Sequence, residues 1–218
     1  MAFVLLFKDE LNGFYKSKVM IFLWAGLPVL SVLLFLVAPS SEDISLSALT
    51  AILVGSLGGV LAAVMLVVSI VGEKEKHVYD LFVIRPIHRR DIVLSKFAAV
   101  YSCVATAALL AFAVAALSDF ISKGSLPEGF GSSAVSFLVI SFSMMAISCS
   151  AGVLIGVASP SVLLGVILVI YGANQLSSAV LLPVLTASSN SLFPLIPGIV
   201  ISAGLLLGAV VWFNRKQL

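Results

Sequence analysis

From Gly129 to Asn214 the chain carries no charged residue and no histidine. Charged residues make up about a quarter of a soluble globular chain, so a stretch this long without one has to be solvated by hydrocarbon. The remainder is little different in kind, since 61% of the 218 residues are hydrophobic and 10% are charged. A bilayer core takes roughly 20 apolar residues per helix. Proline, glycine and serine punctuation divides the chain into six such spans. The expected fold is an all-α integral membrane protein, with an N-terminal interfacial helix over 3–18 and six transmembrane helices over 19–38, 46–71, 93–117, 132–158, 161–181 and 195–213.

The opening segment has Phe3, Leu6, Phe7, Leu11 and Phe14 at helical spacing, with Lys8, Asp9, Glu10, Asn12 and Lys16 between them. That is the pattern of a helix lying in the membrane interface, with Gly13 a weak point. The apolar run is too short, and the acids too near, for a signal peptide. Pro28 sits inside the first span. The Gly55–Gly59 stretch, GSLGG, puts small residues where another helix can approach closely. The alanine-rich third span reads as a rod buried among other helices. Residues 118–131 read as a polar loop. Residues 181–197 hold three prolines and a Ser/Asn cluster, and fit either two short broken helices in the outer leaflet or a plain loop. Cys103 and Cys149 fall inside spans and suggest no disulfide framework.

Six of the twelve Lys and Arg residues lie in one run over 73–96: Lys74, Lys76, Arg85, Arg89, Arg90 and Lys96. With six spans and both termini inside, eleven of the twelve bases are cytoplasmic and only Lys123 is outside. The run is then a cytoplasmic connector between the second and third spans. Within it Val78, Leu81 and Phe82 recur at helical spacing, and Arg85-Pro86 ends the turn because the residue before proline leaves the α region. Asp91 is a candidate N-cap or first-turn acid for the third span. A greasy turn on a charged loop needs a surface to bury it, either headgroups or a protein.

Catalytic signatures are missing. There is no phosphate-binding loop, no HExxH, no GxSxG and no CxxC. No Asp or Glu lies within a span, which counts against a proton-driven carrier. His77 and His88 flank the connector and read as solvated interface residues rather than metal ligands. Within the spans, Ser141, Ser143 and Ser148, and Asn174, Gln175, Ser177 and Ser178, either line a pathway or make interhelical hydrogen bonds.

The connector Glu73-Lys74-Glu75-Lys76, Tyr79-Asp80-Leu81-Phe82, Arg85-Pro86, His88-Arg89-Arg90-Asp91 and Ser95-Lys96 resembles the signature of ABC-2 type transporter permeases. Phe7-Lys8-Asp9-Glu10-Leu11 is similar to that family's elbow helix. The chain departs from the pattern at His77-Val78, where the family often has a small pair, and at Asp80, where it has glutamate.

The resemblance implies a membrane subunit that is not itself an enzyme. It would pair with a second permease subunit, a copy or a sister chain, and with two cytoplasmic ABC-type ATPase subunits that hold ATP and Mg2+. Lys76, Val78, Tyr79, Leu81, Phe82, Arg85, Arg89 and Arg90 would dock on the ATPase. Export of an amphiphilic, lipid-like, drug-like or peptide substrate across the cell membrane is the implied function, with no role for nucleic acid. A self-contained carrier or channel, and a scaffold recruiting a soluble protein, are the other readings.

Overall fold

The computed structural model describes residues 2–37, 46–76, 89–123, 130–178 and 195–215. All of the regular structure there is helical. Helix α1 spans Ala2–Tyr15, α2 Lys18–Val37, α3 Leu46–Glu75, α4 Arg89–Lys123 and α5 Phe130–Ala158. Helix α6 runs over Val162–Leu168, a π-helical turn at Val169–Ala173 and Asn174–Ser178, and α7 over Leu195–Arg215. Five of these, α2, α3, α4, α5 and α7, are long and apolar enough to cross a membrane. The chain is a multi-pass membrane protein. Helix α6 is apolar but shorter, at 17 described residues or about 25 Å.

Helix α1 passes through Gly13 without a break and stops at Tyr15. Ser17 starts the next helix, its Oγ accepting the Met20 N–H at 3.2 Å in the manner of an N-cap. Leu6, Leu11 and Phe14 of α1 pack onto the core. Helix α4 begins earlier and ends later than the apolar span alone suggests, running on through Ser118 and Asp119 into the stretch the sequence reads as a loop. Nothing over 118–123 breaks a helix, and the Ser118 hydroxyl bonds back to the Val114 carbonyl at 2.9 Å. Asp91 falls in the first turn rather than at the cap.

Each long helix packs chiefly on the next but one, as α2 on α4, α3 on α5 and α5 on α7. These pairs are parallel. The Trp24 indole N–H donates to the Cys103 carbonyl (3.1 Å), and the Ser31 hydroxyl, one helical stretch on, donates to the Ala111 carbonyl (3.1 Å). On α3 and α5 the small residues set the approach. A Cβ on Gly55 would lie 3.0 Å from Ser141 Cα, and one on Gly152 would lie 2.7 Å from Ala63 Cα. GSLGG is therefore a packing seam, as small residues in apolar helices usually are. Helix α7 follows α5 in the same sense, with Gly198 against Ser143 and Gly208 near Leu154. The helices α2 and α4 thus run one way, and α3, α5 and α7 the other.

Burial is graded from the centre outward. Two thirds of the apolar window of α5 is buried (67%), against 11% for α7. On α4 the alanines sort by face: Ala99, Ala107, Ala111 and Ala115 are fully buried, with Cys103 between them at the same spacing of four. The outer faces are lined by exposed Val, Leu, Ile and Phe, the pattern of a bundle solvated by lipid.

Candidate functional site

The charged run divides into two helix ends. Helix α3 finishes in Glu73, Lys74 and Glu75, one turn past its last apolar residue, and α4 starts at Arg89 and carries Lys96 two turns in. Lys96 is the largest fully buried side chain of the described residues, at 2% exposure. An ammonium so far from water needs acceptors for all three of its protons.

It has three acceptors, from two other helices. Lys96 Nζ donates to Glu10 Oε1 of α1 at 2.6 Å, to Glu73 Oε1 of α3 at 2.5 Å and, more weakly, to Ser69 Oγ at 3.4 Å. The Ser69 hydroxyl in turn donates to Glu73 Oε1 at 3.3 Å. Both carboxylates keep about a quarter of their side-chain surface exposed (25% and 27%). The desolvation cost is therefore concentrated on the lysine, and two charge-assisted hydrogen bonds offset it. An open cleft of about 530 Å3 lies beside this triad, walled by Asp9, Asn12 and Ser17 near α1 and by Ser69 of α3.

The next residue faces a different neighbour. Lys74 Nζ donates to the carbonyls of Val157 (2.9 Å), Ser159 (3.1 Å) and Gly156 (3.4 Å) at the C-terminus of α5. Those are the carbonyls a helix leaves unsatisfied, at the negative end of its dipole. The α5–α6 turn, Ser159-Pro160-Ser161, is thereby fastened to the end of α3. Successive residues Glu73 and Lys74 point about 100° apart on the helix, so one turn of α3 holds α1 and α4 on one side and α5 on the other.

Other sequence-predicted positions are more scattered. Lys76 is exposed in the turn after α3, its N–H donating to the Gly72 carbonyl at 3.2 Å. Arg89 opens α4, and Arg90 is exposed with its Nε 3.9 Å from Asp91, a contact that contributes little at a solvated position. Val78, Tyr79, Leu81, Phe82 and Arg85, like His77 and His88, lie outside the described residues. Ser141 is buried and its hydroxyl donates to the Ala51 carbonyl at 2.5 Å, joining α5 to α3. Ser143 and Ser148 are buried without a hydrogen-bond partner among the described residues, packed beside Gly198 and Gly59. Ser177 is buried and bonds to its own helix, whereas Asn174, Gln175 and Ser178 are exposed on α6.

The triad and the Lys74 cap are not readable from spacing. Glu10, Glu73 and Lys96 each sit in a segment of the chain that stands out for its charge. Their partnership crosses 86 and 23 residues of sequence. The available hint was chemical: a lysine one turn inside an apolar span has to find a carboxylate. No family model matches the chain, and no curated protein matches it in sequence. Among the described residues the arrangement holds no nucleophile poised beside a base. What it can do is transmit position, because the end of α3 is fastened to α1, to the start of α4 and to the end of α5 within about one turn.

Proposed function

We propose that this chain is the membrane-spanning permease subunit of an ABC-2 type exporter in the cytoplasmic membrane, with six spans and an interfacial α1. It pairs with a second permease subunit and is driven by separate ATPase subunits. The observation that carries the reading is the double clasp at the two ends of the 77–88 connector. Glu73 and Lys96 close it onto α1, and Lys74 fastens it to the α5–α6 turn. A partner that pushes on the connector moves the ends of α3 and α4 together and carries α1 and α5 with them. A loop of merely solvated charge would need no such fastening.

In this mechanism ATP and Mg2+ are held by the partner, which closes on binding nucleotide. Val78, Leu81 and Phe82 supply apolar contact to it, and Lys76, Arg85, Arg89 and Arg90 supply complementary charge and faster encounter. The displaced helices shift the bundle between two arrangements that the partner's closure biases. Amphiphilic cargo suits uncharged helices better than small ions do.

The test is a mild-detergent pull-down of tagged chain from its native membranes, with ATPase activity assayed in what is retained. A stoichiometric ATP-binding protein is expected, lost from the double variant Leu81→Asp with Phe82→Asp while the permease remains folded. Recovery of the chain without any such protein, together with nucleotide-free flux in liposomes, would replace this reading by a self-contained carrier.

A further inference from the structure

The cleft beside the triad has a lining with one sign of charge. Asp9, Glu10, Asn12 and Ser17 on one side and Ser69 of α3 on the other surround about 530 Å3, ample for a small headgroup. Glu10 gives its Oε1 to Lys96 at 2.6 Å, and its second oxygen has no hydrogen bond among the described residues. Asp9 is exposed and makes no ion pair among them. Lys96 cannot serve the cleft, because its three protons are directed at Glu10, Glu73 and Ser69. The described walls therefore offer chiefly acceptors: two carboxylates, an amide and two hydroxyls. What binds there has to bring positive charge together with donors.

A metal ion fits poorly. The described residues bring no three His, Cys, Asp or Glu side chains together, and a divalent cation takes about six oxygens in a tight shell. A quaternary ammonium fits poorly as well. It has no proton to donate and is recognised by cages of aromatic rings, whereas Phe14 is the one aromatic wall described here. A primary ammonium, with three donors, matches the lining. Depth narrows the choice further. Ser17 immediately precedes the apolar helix Lys18–Val37, and Ser69 lies one turn before the charged end of α3, so the cleft stands at the level of lipid headgroups. Lys16 and Lys18, on either side of Ser17, are exposed, and so are Val19, Ile21 and Phe22 beyond them. Carboxylates, then bases, then apolar side chains follow in the order in which an aminophospholipid presents ammonium, phosphate and acyl chains.

We propose that this cleft binds the headgroup of a phospholipid bearing a primary ammonium. Asp9 and the second oxygen of Glu10 hold the ammonium, Ser17 and Ser69 complete the polar wall, and Lys16 and Lys18 take the phosphate. Seated there, the lipid bridges α1 and α3 beside the triad and adds a second tie between them, so the lipid present alters how firmly the interfacial helix is held. Gly13 forms part of the wall, and a Cβ on it would meet nothing within 4 Å. A larger side chain at that position enters the free space of the cleft and leaves the triad alone. The site depends on the membrane depth of α1 and α2 and not on any ATPase.

The full chain, delipidated in mild detergent, is offered equal amounts of phosphatidylethanolamine, phosphatidylcholine and phosphatidylglycerol, and bound lipid is counted by native mass spectrometry. Phosphatidylethanolamine is expected to be retained about tenfold over the other two, the worth of one charge-assisted hydrogen bond. Asp9→Asn with Gly13→Leu, which keeps Glu10, Glu73 and Lys96, should bring that ratio close to one. Lys16→Gln with Lys18→Gln should weaken all three lipids while phosphatidylethanolamine keeps its lead. Equal retention of the three lipids, or an undiminished preference in Asp9→Asn with Gly13→Leu, would overturn the proposal. So would displacement of the lipid by free ethanolamine at the same concentration, which marks a site for a soluble amine. None of these results bears on whether the connector retains an ATPase.

Discussion

Lys96→Met would leave Glu10 and Glu73 gathered around an apolar side chain, with no cation between them and only the Ser69 hydroxyl still donating to Glu73. Removing one member of a buried ion cluster costs about 3 kcal/mol or more, because the remaining charges lose their partner but keep their desolvation. Here each carboxylate is about a quarter exposed, which places the loss at the low end of that range. Thermal unfolding in mild detergent should show the drop. Adding Glu10→Gln and Glu73→Gln to Lys96→Met should restore much of it, since an uncharged cluster has no such deficit. An unfolding temperature unchanged by Lys96→Met alone would mean that the triad is ornamental. At this scale the sequence showed which residues were unusual and not how they combine. Lys96 reads as the end of a charged run, and only the antiparallel passage of α3 beside α4 turns it inward to meet Glu73.

Helices were the legible level, and glycine is where they can be tested against one another. Gly152 and Gly204 both lie inside long helices. A Cβ on Gly152 would strike the backbone of Ala63 at 2.7 Å, whereas one on Gly204 would meet nothing within 4 Å. Gly152→Ala should therefore force α3 and α5 apart and destabilise the bundle by about 1–3 kcal/mol. Gly204→Ala should be neutral or stabilise it by up to about 1 kcal/mol through helix propensity. Side-by-side thermal melts decide the matter, and equal effects would contradict the α3–α5 seam. The periodic apolar runs disclosed the helices α2 to α5 and α7, because a run of some twenty apolar residues has few other ways to satisfy its backbone. The extension of α4 to Lys123 and the π turn in α6 were not disclosed. Both follow from backbone choices that several sequences tolerate equally, and the local composition of Ser118–Lys123 suits a loop as well as a helix.

For the whole molecule, direction is the feature to check. Helices α3, α5 and α7 run the same way, so Arg215 ends on the side that holds Glu73, Lys74 and Lys96, where α1 also lies. Reporter fusions at Met1 and Leu218 should both be active on the cytoplasmic side, and one inserted at Gly124 on the other. An active cytoplasmic reporter at Gly124 would break the topology. The sequence reached this arrangement through the distribution of bases, since translocating eleven of twelve would be needed for the reverse. The packing of the helices independently gathers these ends on one side of the bundle, and the bases alone argue that this side is the cytoplasmic one.

The next-but-one pairing also bears on how the chain is made. A ribosome releases α3 well before α5 exists. Completing the stretch from Glu75 to Ala158 takes on the order of ten seconds at usual elongation rates. During that interval the groove formed by Gly55, Gly59 and Ala63 has no partner, and α4 cannot substitute for α5 because it passes in the opposite sense. Nascent chains cut after Lys123 should be cleared faster in a pulse-chase than chains cut after Ala158, although both carry complete helices. Inserted α3 has to wait in the bilayer, its seam guarded by lipid, by the insertion machinery or by a membrane chaperone, until synthesis delivers α5.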